Sequence, residues 1–121
     1  MKRRFAAIVP ALAAVAVALP LTLATPATAY ASCGTGFGDK DGSAWKKTAG
    51  DGTNQRSGSS TSCPTLGVAY STHSLDYHCY TQIGATTETW TYLRNDSTGA
   101  YGWVRDDKLS DNGSKKPCRP L

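Results

Sequence analysis

Two histidines, four cysteines and one glutamate are the residues of this 121-residue chain that could do chemistry, and their spacing argues against most of it. A cysteine nucleophile needs a free thiolate beside a base. His78 and Cys79 are adjacent in sequence, but on a strand adjacent side chains point to opposite faces. His73, Asp76 and the many serines could be written as a triad, but no strand–turn–helix nucleophile elbow accompanies them. His73 and His78 are an odd number of residues apart and diverge on a continuous strand, so no metal site is expected. Glu88 is the only glutamate, so a glycosidase pair would have to recruit a distant aspartate. The chain is therefore expected to have no catalytic residues, no metal and no cofactor.

A different chemistry lies between Trp90 and Arg105. Trp90-Thr91-Tyr92-Leu93-Arg94 and Ala100-Tyr101-Gly102-Trp103-Val104-Arg105 flank the turn residues Asn95-Asp96-Ser97-Thr98-Gly99, a hairpin pattern. Alternation puts Trp90, Tyr92 and Arg94 on one face with Tyr101, Trp103 and Arg105, and Leu93 with Val104 on the other. The first face suits binding. Trp90, Tyr92 and Tyr101 are the better contact candidates, while Trp103 and Tyr77 are also read as filling a small core. Arg56, Arg94 and Arg105 could meet a ligand carboxylate, or simply cover aromatic faces.

Upstream of this hairpin, Leu75-Asp76-Tyr77-His78-Cys79-Tyr80-Thr81 alternates as a half-buried strand, with Leu75, Tyr77 and Cys79 facing inward. Leu66 to Tyr70 is a shorter apolar run entered through Pro64. Residues 32–62 are polar and glycine-rich and read as irregular, with Trp45 packing back onto the domain. Asp39-Lys40-Asp41-Gly42-Ser43 is superficially similar to a calcium loop, but its later acidic ligand is missing and turn chemistry explains it. Asn95-Asp96-Ser97 and Asn112-Gly113-Ser114 match the glycosylation pattern, yet also read as turns.

The first 29 residues read as a signal peptide: Lys2-Arg3-Arg4, an apolar run broken by Pro10 and Pro20, then Ala27-Thr28-Ala29. Setting its three bases aside leaves ten Lys and Arg against nine Asp and Glu, so the net charge of +4 is largely an export signal. Nucleic-acid binding and retention in a membrane after cleavage are not expected. Export also explains the cysteines, since an even number in a short secreted chain reads as disulfides. Three pairings are possible for Cys33, Cys63, Cys79 and Cys118. An inward Cys79 beneath the loop headed by Cys63 favours Cys63–Cys79, which leaves Cys33–Cys118 to join the ends.

The motifs together resemble the bacterial SH3 domain, SH3b. Asn54-Gln55-Arg56-Ser57-Gly58 followed by Ser60-Thr61 is similar to the family's N-x-R-S-G-P-S-T opening, with Ser59 in place of proline. Cys63-Pro64-Thr65-Leu66-Gly67, then Trp90 with Leu93, Tyr101-Gly102-Trp103-Val104 and Asp107-Lys108-Leu109 follow in the family's order, over about Gly52 to Leu109. The resemblance implies an all-β fold, a small SH3-like antiparallel barrel whose RT-type loop would hold Cys63. It places a domain over 52–111, and composition and charge make 30–51 an irregular extension and 112–121 a solvated tail. It also implies an extracellular binding module for peptidoglycan or its cross-bridges, here without a wall-cutting domain beside it. The expected function is a secreted, monomeric, non-catalytic module that binds a peptide or peptidoglycan fragment through Trp90, Tyr92, Tyr101, Trp103, Arg56 and Arg94. The alternative is an interaction or inhibitor protein acting on another secreted protein.

Overall fold

The computed structural model describes residues 30–119; the expected signal segment lies outside them. Five strands form one antiparallel sheet: β1 (Thr53–Arg56), β2 (Thr65–Ala69), β3 (Leu75–Gln82), β4 (Thr89–Asn95) and β5 (Tyr101–Arg105), in the order β2-β1-β5-β4-β3. A single 3-10 turn, Asp106–Lys108, follows β5. Among the described residues no helix is long and apolar enough to cross a membrane.

The β4–β5 hairpin forms where turn chemistry and alternation place it. Asn95 closes it through its carbonyl, which accepts from the amides of Thr98 and Gly99, while its own amide donates to Ala100. Gly99 adopts φ +83°, a left-handed conformation that a side chain would strain. The register sets Tyr92 opposite Trp103, Arg94 opposite Tyr101 and Trp90 opposite Arg105, with Leu93 and Thr91 on the other face.

That other face carries the first core, in which Leu75, Tyr77, Leu93 and Val104 pack with Ala49, Ala69 and Leu109. Two fully buried amides end it: Asn95 Nδ2 donates to Gln55 Oε1 (3.1 Å) and Gln55 Nε2 to the Ala100 carbonyl (3.0 Å), so neither is left unsatisfied. Tyr77 reaches past the core to donate its hydroxyl to Asp111 Oδ1 (2.5 Å), and Lys47 holds Oδ2 of the same carboxylate (3.0 Å). Burial opposes ionisation of Asp111, but the bonds from Tyr77, Lys47 and the Gly113 amide outweigh it and hold the carboxyl below its ordinary value. A depressed folded value gives stability that is present above the unfolded carboxyl value and lost as pH falls through the folded one. Asp111→Asn should therefore flatten the acid limb of the stability profile. At neutral pH it should cost about 1 kcal/mol, the value of a charged hydrogen bond discounted for solvent screening. Urea titrations at a series of pH values check both effects.

The sheet does not close into the barrel that the sequence led us to expect. Closure would require the outer edge of β3 to meet β2, but coil segments occupy that edge. Lys47 exchanges both backbone bonds with Leu75, the Lys40 amide donates to the His78 carbonyl, and Tyr80 is bonded on both sides by Lys116 and Cys118. An edge covered in this way is protected from pairing with other chains.

The disulfides also differ from the expected pairs: Cys33 bonds Cys63, and Cys79 bonds Cys118. The cause is a bulge in β3. Tyr77 pairs with Leu93 but Cys79 pairs with Tyr92, so one extra residue at His78 turns Cys79 onto the opposite face from Leu75 and Tyr77. There it meets the tail, not the loop of Cys63. The tail is accordingly no solvated end: Gly113, Ser114 and Cys118 are buried, and Ser114 bonds both Thr91 and Asp41. Trp45 goes the other way. It stays 56% exposed, with the Lys46 ammonium over its ring (5.3 Å).

Candidate functional site

The bulge makes the aromatic face of the sheet a second interior. Cys79, Trp90, Trp103 and Cys118 form a buried cluster with Ala31, and Phe37, Ile83 and Tyr92 pack against its margin. The cover is the glycine-rich segment from Ala31 to Asp41, together with the tail. Cys33 ties this segment to Cys63, and its backbone lies directly on Gly58, where an added Cβ would stand 2.8 Å from the Ala31 oxygen and the Cys33 backbone. Further along, the Thr35 carbonyl accepts the Trp103 indole N–H (2.7 Å), and Phe37 meets the same ring edge-on at 6.0 Å. Gly36 between them has no room for a side chain, since a Cβ would lie 2.7 Å from the Tyr92 hydroxyl. Gly36→Val is therefore expected to lift the segment from Tyr92 and Trp103. A red shift in tryptophan emission checks it.

Two of the expected ligand-binding residues are thus interior ones. Trp103 is fully buried and Trp90 is 3% exposed, its indole donating to Glu88 Oε2 (2.6 Å). The physical reason is that a small sheet with two apolar faces must cover both, and the irregular segment covers the second. Trp90→Ala should consequently report on stability and not on a surface contact. Arg56 is also apart from the open aromatics. Its Nη1 donates to the Cys63 carbonyl (3.1 Å), and it lines a groove of about 580 Å³ with Arg105, Asp51 and Asp107. In that groove Arg105 is already forked onto Asp107 (2.8 and 3.0 Å).

What remains open is the end of the face nearest the hairpin turn. Tyr101 is 45% exposed and stacks on half-buried Tyr92, with centroids 6.1 Å apart and planes 23° apart. The Arg94 guanidinium sits 5.9 Å from the Tyr101 ring and is held by Asp96 (2.8 Å). Burial, with Tyr101 beside it, pushes the Tyr92 hydroxyl above its ordinary value, so it remains a neutral donor and acceptor. This edge offers planar area, a hydroxyl and a cation.

His78 forms the wall of this edge, its ring edge-on to both Tyr92 (5.5 Å) and Tyr101 (5.7 Å). Beside it are Asp76 from β3 and Asp39 from the covering segment, their donor atoms and that of His78 lying within 4.8 Å of one another. The sequence reading missed this group because 37 positions separate Asp39 from Asp76, although alternation along β3 already sets Asp76 and His78 on one face. His73 is indeed elsewhere: its Nδ1 meets the Tyr70 amide and Asn95 Nδ2. All four cysteines are bridged, which leaves no thiol for nucleophilic chemistry. Two such bridges fit an extracellular protein.

No protein-family model matches this chain, and neither a curated protein nor a solved structure matches it.

Proposed function

We propose that this is an exported, non-catalytic binding module of the SH3b kind, which takes a peptide or peptidoglycan-derived ligand across the Tyr92–Tyr101 edge. The observation that carries this reading is the stacking of exposed Tyr101 on half-buried Tyr92, with Arg94 over Tyr101, on a face whose indoles are sealed. Tyrosines held rigid before binding lose little conformational entropy when a ligand docks. A guanidinium beside them suits the carboxylates of a stem peptide. Export is supported by the two disulfides and by the leader-like pattern of the first 29 residues.

Sedimentation with purified cell-wall sacculi tests the reading. The protein should pellet with them, and Tyr101→Ala should weaken pelleting about tenfold, as loss of a hot-spot tyrosine does. Its melting temperature should hardly move, because Tyr101 is among the exposed aromatics. Equal pelleting of the two forms would reject the site. Capture of a secreted protein that wall fragments fail to compete away would favour the interaction or inhibitor reading instead.

A further inference from the structure

The Asp39, Asp76 and His78 group carries an inference that does not depend on the tyrosine edge. The His78 side chain is only 9% exposed, so both ring nitrogens need an account. Its Nδ1 lies 3.1 Å from the Phe37 carbonyl oxygen. A carbonyl can only accept, so Nδ1 carries a hydrogen, and in the neutral imidazole the lone pair is on Nε2. Among the described residues no hydrogen-bond donor reaches that nitrogen. The nearest charged group, Asp76 Oδ2, is 3.9 Å away, beyond hydrogen-bond distance, and an ionised carboxylate has no proton to give.

An imidazole with one nitrogen bonded to a backbone carbonyl and the other presenting a lone pair towards carboxylates has the arrangement of metal-ligating histidines. We propose that His78 Nε2, with one carboxylate oxygen each from Asp76 and Asp39, binds a divalent transition-metal cation, zinc foremost, with the remaining position open to water. An imidazole donor selects zinc over calcium and magnesium, which take oxygen ligands. Tetrahedral zinc, with ligands at about 2.1 Å, sets its donors about 3.4 Å apart. The present spread of up to 4.8 Å closes by rotation of Asp39, which is exposed.

Two further observations support the site. Arg94 is the cross-strand partner of Asp76, but it gives its guanidinium to Asp96. The backbone is also built for the role, since the Lys40 amide bonds the His78 carbonyl (2.9 Å) and fixes Asp39 beside β3. A bound ion would add a further tie between the covering segment and the sheet, beside the disulfide at Cys33, the indole bond of Trp103 and the bonds of Phe37 and Lys40 to His78.

Equilibrium dialysis of tag-free, disulfide-intact protein against zinc tests this, with calcium in a parallel arm. One zinc per chain is expected, with little calcium. Asp39→Asn and His78→Gln should each weaken zinc binding by about tenfold to a hundredfold, whereas His73→Gln should leave it unchanged. Asp39 is exposed, so its variant keeps the fold, and an unchanged melting temperature without metal verifies that. If His78→Gln fails to fold, Asp39→Asn decides. No saturable binding by the wild type up to about 1 mM zinc, or wild-type affinity in Asp39→Asn, overturns the proposal.

Discussion

Trp103→Ala is expected to lower the unfolding free energy by about 3–5 kcal/mol, the range for removing a buried aromatic side chain. Trp103 is fully buried and joins three parts of the molecule. It stands opposite both Tyr92 on β4 and Arg56 on β1, lies edge-on to Phe37, and bonds the Thr35 carbonyl. Truncation leaves a cavity between sheet and cover and removes a donor the covering segment relies on. A domain of this size has about 5–15 kcal/mol in total, so the variant should be close to unfolding at physiological temperature. Trp103→Phe keeps most of the ring but loses the N–H, and should cost about 1–3 kcal/mol. Urea unfolding followed by far-ultraviolet circular dichroism measures both. A loss under about 1 kcal/mol for Trp103→Ala would mean that the segment over the ring contributes nothing to stability.

Replacing Cys79 and Cys118 together by alanine should have an effect of similar size. The bridge closes a separation of 39 residues, which the chain-entropy account values at about 4 kcal/mol. The double variant also loosens the tail that bonds both backbone groups of Tyr80 on the outer edge of β3. We expect a lower melting temperature and earlier amide exchange at Tyr80 than elsewhere in β3. The Cys33/Cys63 double variant, with a separation of 30 residues, should lose nearly as much free energy. In that variant the early exchange should move to Gly34 and Ser59, whose amides bond the Ser57 and Ala31 carbonyls. An unchanged melting point in either double variant would contradict the account.

The hairpin was legible in the sequence because two aromatic, alternating runs around Asn95–Gly99 carry local information about period and turn. The face shared by Trp90, Tyr92, Arg94, Tyr101 and Trp103 was legible for the same reason, and the register reproduces it. The bulge at His78 was not. Leu75 to Thr81 alternates without a break, and the extra residue is set by long-range pairing with β4. That one residue carried away the expected disulfides, because the side of the sheet chosen by Cys79 decides its partner. The segment over 31–41 hid for another reason. Its contribution is made by backbone and by missing side chains: the Thr35 carbonyl, the bare Cα of Gly36, and Gly58 beneath Cys33. A reading that counts apolar side chains gives such residues no weight. Hence the indole of Trp90 looked like surface, Trp103 was read both as a contact and as core, and only the Tyr92–Tyr101 end is open.

The most direct test is an amide and indole nuclear magnetic resonance titration of the protein with soluble peptidoglycan fragments. We predict progressive shifts at Tyr92, Arg94, Tyr101 and the neighbouring His78, with the Trp103 indole N–H unmoved and protected from exchange under Thr35. Shifts centred on the Arg56–Arg105 groove, or a Trp103 indole that exchanges freely and moves with ligand, would contradict it.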